Sequence, residues 1–135
     1  MKEITVDAII ENIDVVTEFV DDFLDSNDCP MKTKVQMDIA IDEIFSNISF
    51  YAYKDGVGKA TVRVDIQDDP RAVSMTFIDG GIPYNPLDKE DPDVTLSAEE
   101  RKIGGLGIYI VKKNMDEMRY EYSDGKNHLS LKKYL

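Results

Sequence analysis

The stretch IDEIFSNISFYAY, Ile41 to Tyr53, wraps an apolar helical pattern around an acid and an amide, Glu43 and Asn47, four positions apart. Side chains at that spacing leave a helix on one face, so the two can reach the same small volume. The helix is expected to run from about Met31 to Tyr53, with Val35, Ile39, Ile44, Phe45 and Ile48 on its buried side and KDGVG ending it. Asp38 and Asp42 repeat the four-residue spacing and read as solvated. Many surface helices carry an acid and an amide beside an apolar stripe, so the use of Glu43 and Asn47 depends on what the rest of the chain brings to them.

Working outward, Ile4 and Val6 alternate with polar neighbours as a short strand does, and AIIENIDVVTEFVDDFL then places Ile9, Ile13, Val16, Val20 and Phe23 at helical spacing. Beyond Tyr53, KATVRVDIQ and AVSMTFID alternate with period two around the turn DDPR, the pattern of a hairpin. The segment from Gly80 to Lys102 holds Pro83, Pro86 and Pro92 and no sustained apolar period. A loop of that length inside a small domain usually serves as a lid or a binding loop. Glycines then open a helix marked by Ile108, Val111 and Met115, and a last hairpin turns at Asp124-Gly125. The order β-α-α-β-β-loop-α-β-β predicts an α+β two-layer sandwich, a mixed and mostly antiparallel sheet with helices on one face.

The 135 residues suit one domain, expected to span 1–135, and a hydrophobic fraction of 42% suffices for a single core. With 16 basic and 27 acidic residues the net charge is -11, which argues against a broad electrostatic grip on nucleic acid or on an anionic membrane. An anionic ligand would have to be held locally, by backbone amides, a metal ion or a few cations. The lone Cys29 cannot form an internal disulfide, and no apolar run reaches the ~18 residues that span a bilayer. MKEITVD lacks the apolar core of a signal peptide, so the expected location is the cytoplasm.

Two further features carry chemistry. In FIDGGIPYNP a strand delivers Asp79 to its end, where a carboxylate can accept a hydrogen bond from an exocyclic amine while the glycines let a flat ring approach. Such a bond to a charged acceptor contributes about 1.5–3 kcal/mol and disfavours a ring with a carbonyl at that place, which fits adenine and not guanine. In KIGGLGIYIVKK glycines feed directly into a helix, whose first amides lack internal partners and suit phosphate oxygens. No lysine followed by Ser or Thr comes after these glycines, so this is not the loop of the P-loop enzymes. Each feature also has an ordinary structural reading, an Asp-Gly turn or a tight loop-to-helix junction.

The conjunction is more specific: Glu43-x-x-x-Asn47 on a helix, Asp79-x-Gly81-x-Pro83 after a strand, a long loop, then Gly105-x-Gly107 at a helix start. In this order and at roughly these separations the chain resembles the GHKL ATP-binding family over nearly its whole length. DEIFSNISFYAY and GGLGIYIVKKNMDEMRYEYSDGKNHLSLKK look most like the bacterial anti-sigma factor serine/threonine kinases of that family. The resemblance implies ATP and Mg²⁺ as cofactors. Asn47 would ligate the metal and Glu43 would be the general base or positioning group for the attacking hydroxyl. Asp79 would hold the adenine amino group, with Gly81 and Pro83 shaping the pocket; Gly104, Gly105 and Gly107 would admit the phosphates, under a lid at about 80–103 that excludes water when closed. Lys89, Arg101 and Lys102 are the cations available in that lid.

The resemblance also implies a homodimer, a small anti-sigma-antagonist protein as phosphorylation substrate, and a sequestered sigma factor, without direct contact to nucleic acid or membrane. Ile48, Ser49 and Tyr51 depart from the family pattern, which bears on packing near the metal. His128 reads as a surface strand residue and Cys29 as part of an inter-helix turn. The alternative function is a nucleotide-gated anti-sigma or adaptor module that phosphorylates nothing; Glu43 favours the kinase, because a clamp has no use for a base.

Overall fold

The computed structural model describes residues 1–88 and 106–135. Strand β1 (Lys2–Asp7) leads through a 3-10 turn, Ile10–Asn12, into α1 (Ile13–Ser26), and α2 (Met31–Asn47) continues into a π-helical turn, Ile48–Ala52. The hairpin of β2 (Lys59–Gln67) and β3 (Ala72–Asp79) follows, then a 3-10 turn at Pro86–Asp88. Helix α3 (Leu106–Asn114) and the hairpin of β4 (Glu117–Ser123) and β5 (Lys126–Tyr134) close the chain. This is the element order that the periodicities predict.

The strands form one five-stranded sheet in the order β1-β2-β3-β5-β4. Every neighbouring pair is antiparallel, which corrects the expectation of a mixed sheet. The reason lies in the connections: two tight hairpins each force antiparallel pairing, and the second sets β5 beside β3, opposing Asp79 to Asn127. The Asp124-Gly125 turn has φ of 55° and 74°, the left-handed pair that a two-residue hairpin loop requires.

Period-two alternation divides the sheet into two faces. Val62, Val64, Met75, Phe77, Leu129 and Leu131 are buried on one face, against α1 through Val16, Val20 and Leu24 and against α2 through Met37, Ile41 and Phe45. Each such side chain contributes about 1.5–3 kcal/mol by leaving water. The opposite face is polar, with Thr5 bonded to Thr61 at 2.8 Å, Thr76 to Ser130 at 3.0 Å and Arg63 donating to Glu3 at 2.6 Å. His128 lies there, opposite to the side taken by its buried neighbours Asn127 and Leu129.

Two details of the helices differ from the sequence reading. Val35 and Ile39 are exposed at 48% and 40%, while Thr33, Met37, Ala40, Ile41, Ile44 and Phe45 form the buried stripe. At about 100° per residue, Val35 and Ile39 sit some 160° round the helix from Met37 and Ile41, so one set excludes the other from the core. In α1 regular helix starts only at Ile13: Asn12 donates its side-chain amide to Asp7 O at 2.9 Å, and Ile9 stays extended at φ -127° and ψ 149°.

Asp38 is not simply solvated. It is half-buried between α1 and α2 and faces Asp21; each acid has an Oδ1 that is buried without a partner. Two ionised carboxylates cannot bond each other, whereas one shared proton supplies the missing donor. Burial, then the hydrogen bond and charge of Asp21, push the Asp38 carboxyl up to about 7, against the smaller opposing pull of Lys34. Lys34 itself is paired with Asp25 at 2.9 Å. Because the folded chain then holds a proton that the unfolded chain releases near pH 3.8, stability is greatest below that value and falls as the pH rises to about 7. The Asp38→Asn variant, measured beside the parent by urea denaturation at pH 5 and pH 8, should lose this component and be the more stable of the two at pH 8. We expect roughly 1–2 kcal/mol there, because water screens a partly exposed pair. An identical pH profile in both proteins would refute the shared proton.

Candidate functional site

The last two turns of α2 carry Glu43 and Asn47 on the face predicted for them. The Asn47 amide nitrogen donates to Glu43 Oε1 at 3.1 Å. With the nitrogen engaged, the Asn47 carbonyl oxygen remains as the acceptor, the part of the amide a hard cation would use. Among the described residues no three acidic, histidine or cysteine side chains gather in a cluster suited to a metal ion. A cation at Asn47 would therefore take most of its oxygens from a ligand and from water, as Mg²⁺ commonly does.

Asp79 ends β3 and is buried, 7% exposed, at the floor of a cavity of about 330 Å³ that Asn47, Ile48, Phe77, Tyr84 and Tyr120 also line. A buried carboxylate is tolerated when hydrogen bonds satisfy it. Asp79 Oδ1 accepts the Gly81 N–H at 2.9 Å and the Asn127 side-chain amide at 3.0 Å. Both bonds fall on one oxygen, leaving Oδ2 as an acceptor for a donor inside the cavity. The walls are mostly apolar and aromatic, with few polar groups converging, the usual make-up of a site for a flat heterocycle.

The glycines are explained by close approach. A Cβ on Gly81 would collide with the Ala52 backbone carbonyl, to which Ile82 N–H donates at 2.9 Å. The π-helical turn that follows Asn47 and the chain that follows Asp79 are thus in direct backbone contact. A Cβ on Gly107, in the first turn of α3, would collide with the Glu43 carboxylate. The acid lies against the turn whose amides have no helical partner, at the positive end of the dipole. Glu43 and Gly107 stand outside the cavity lining, and Pro83 is exposed in the loop beyond Gly81. Gly104, Gly105, Lys89, Arg101, Lys102 and most of the expected lid lie outside the described residues.

Two side chains were missed by sequence reasoning. Tyr53, just past the π-helical turn, accepts the Gly80 N–H at 2.8 Å and donates to Lys59 O at 2.5 Å, with its ring so close to Gly58 that no Cβ would fit there. Burial raises its phenol above the usual range. Asn127 bonds Asp79 from the adjacent strand. Its signal was available: in KNHLSLKKY it holds the same inward position as Leu129 and Leu131, and an amide at a core position needs a reason. Tyr53 left no such mark.

A family model described as a histidine kinase-like ATPase domain matches residues 6–133. Among curated proteins, the serine/threonine-protein kinase BtrW of Bordetella bronchiseptica is 27% identical over 74% of this chain and 70% of its own length. The serine-protein kinase RsbW of Bacillus mycoides is 30% identical over 71% of this chain and 61% of its own length, and RsbW of a Bacillus cereus strain is 31% identical over the same shares. The match thus spans less than two thirds of the RsbW proteins. The arrangement of Asn47, Asp79 and the glycine-opened helix around one cavity, together with a match over almost the whole sequence, places the chain in the histidine kinase-like ATPase family.

Proposed function

We propose that this chain is a Mg²⁺- and ATP-dependent protein serine/threonine kinase of the anti-sigma type. In this reading it acts in the cytoplasm as a homodimer of single-domain protomers. It phosphorylates a small anti-sigma-antagonist protein and sequesters a sigma factor. The observation that supports this most is the succession of contacts between separate chain segments: Asp79 and Asn47 line one cavity, Asn47 is bonded to Glu43, and Glu43 lies against the α3 turn at Gly107. A purine, a metal-bound phosphate chain and an attacking hydroxyl follow the same order.

The cavity fits the base. Asp79 Oδ2 offers an acceptor that neither Gly81 nor Asn127 engages, which suits the exocyclic amine of adenine and opposes the carbonyl of guanine. Asn47 Oδ1 would hold Mg²⁺, whose charge offsets that developing on the phosphoryl oxygens. Glu43 would orient the serine or threonine hydroxyl and take its proton as the new oxygen–phosphorus bond forms and the bond from the γ-phosphorus to the bridging oxygen breaks, with adenosine diphosphate as the leaving group. Its hydrogen bond to Asn47 keeps base and metal ligand in fixed register. The amides of the first turn of α3 would meet phosphate oxygens. BtrW and RsbW carry the names of serine or serine/threonine kinases, which supports the same reaction here.

Incubation with Mg-ATP labelled at the γ-phosphate and with proteins captured from the source cell's extract should label a serine or threonine of a small captured protein. Glu43→Ala should lower that transfer by roughly 10²-fold or more, the usual contribution of a general base. Capture of a partner without label would instead support a nucleotide-gated module that binds and phosphorylates nothing.

The two glycines should respond differently to alanine. Gly81→Ala drives a methyl into the Ala52 backbone, so it should lower stability by about 1–3 kcal/mol and weaken nucleotide binding. Gly107→Ala meets only the end of the flexible Glu43 side chain, so the fold should keep its stability, with a helix-propensity gain of up to ~1 kcal/mol. Transfer should nonetheless fall at least tenfold as Glu43 is displaced, with nucleotide affinity nearly unchanged. Full transfer activity in Gly107→Ala would remove Glu43 from the reaction.

A further inference from the structure

Asn127 lines the cavity and is buried, 6% exposed, yet it has nothing left to offer a ligand. A side-chain amide has two N–H donors and a carbonyl with two lone pairs. One donor goes to Asp79 Oδ1 at 3.0 Å and the other to Ile82 O at 2.9 Å. The carbonyl accepts the Tyr84 N–H at 3.0 Å and the Tyr120 hydroxyl. All four positions are used within the protein. The partners come from three places, the end of β3, the loop at residues 82–84, and β4, so this one amide ties the loop after the glycines to the sheet.

We propose that Asn127 is the positioning residue for base selection: it fixes the Asp79 carboxylate with Oδ2 toward the cavity and thereby sets the preference for a 6-amino over a 6-oxo purine without touching the base. Two features make Asn127 suited to this. Its Nδ2 and the Gly81 N–H both pull on Oδ1, so the carboxylate cannot rotate without losing two bonds to a charged acceptor. Its bonds to Ile82 and Tyr84 also hold the loop in which Tyr84 lines the cavity, so base and wall are placed by the same group. Without Asn127, Asp79 would be free to present either oxygen or to recruit water, and the acceptor would lose its fixed direction.

The inference rests on the nucleotide reading above, and the experiment separates the two. Dissociation constants for adenosine diphosphate and inosine diphosphate would be measured for the parent chain, Asn127→Ala, Asn127→Asp and Asp79→Asn, with thermal melts to verify folding. The parent should prefer the adenine nucleotide. Asn127→Ala should cut that preference about tenfold or more, mainly by weakening the adenine nucleotide, the scale of one hydrogen bond to a charged acceptor. Asn127→Asp sets a second carboxylate against Asp79, so the preference should be lost at pH 8 and return as the pH falls and one proton settles between the acids. This titration decides the matter alone if the alanine variant does not fold. Equal weakening of both nucleotides, with the ratio and its pH profile unchanged while Asp79→Asn erases the preference, would overturn the role of Asn127 and leave the adenine site standing. An unchanged ratio in Asp79→Asn would overturn the adenine site and the inference with it.

Discussion

A carboxylate buried at the end of a central strand has to be satisfied by its neighbours, and much of this molecule is arranged around that requirement at Asp79. Left alone in a low-dielectric interior it would cost several kcal/mol or take up a proton. Here the Gly81 amide and the Asn127 side chain meet one of its oxygens, and that same pairing brings the β3 end, the following loop and β5 together. Asn127 can occupy its position only because β5 runs antiparallel to β3 in the register that opposes Asn127 to Asp79. The sheet order β1-β2-β3-β5-β4 therefore does more than build a core, because it puts the acceptor and the group that orients it on adjacent strands.

Backbone proximity does the rest. The π-helical turn after α2 passes so close to the loop after β3 that a side chain at Gly81 would strike the Ala52 backbone, and the start of α3 lies so close to Glu43 that a side chain at Gly107 would displace its carboxylate. The π-helical turn at Ile48–Ala52 lies between these contacts, directly after Asn47, and Tyr53 at its end ties Gly80 to the β2 strand through Lys59. Extra residues of this kind inside or at the end of a helix frequently occur at functional sites. Here the wider turn carries the chain from the Asn47 face of the helix to the Ala52 carbonyl that receives Ile82.

The fold was largely legible because both periodicities are clear in the sequence: KATVRVDIQ and AVSMTFID alternate cleanly, and the helical runs are broken by Gly, Pro and Asp-rich turns. The errors have physical sources. Val35 and Ile39 are as apolar as the residues that are buried, and which stripe of α2 meets the sheet is decided by tertiary packing. Whether the sheet was wholly antiparallel depended on which strand settled beside β3. For the candidate site, the placing of Glu43 and Asn47 on one helix face and of Asp79 at a strand end was readable because each depends on a local spacing. Asn127 and Tyr53 act across 48 and 27 residues, at Asp79 and Gly80, and no local spacing records that. The Asp21–Asp38 pairing escaped for a related reason, since two acids on separate helices look solvated until the helices are packed.

The position of a bound nucleotide tests the roles of Asp79 and Asn47 most directly. A crystal structure with Mg²⁺ and adenosine diphosphate should put the exocyclic amine about 3 Å from Asp79 Oδ2 and the metal on Asn47 Oδ1, with the phosphates toward the first turn of α3. A base lodged elsewhere, or a metal held without Asn47, would contradict those roles.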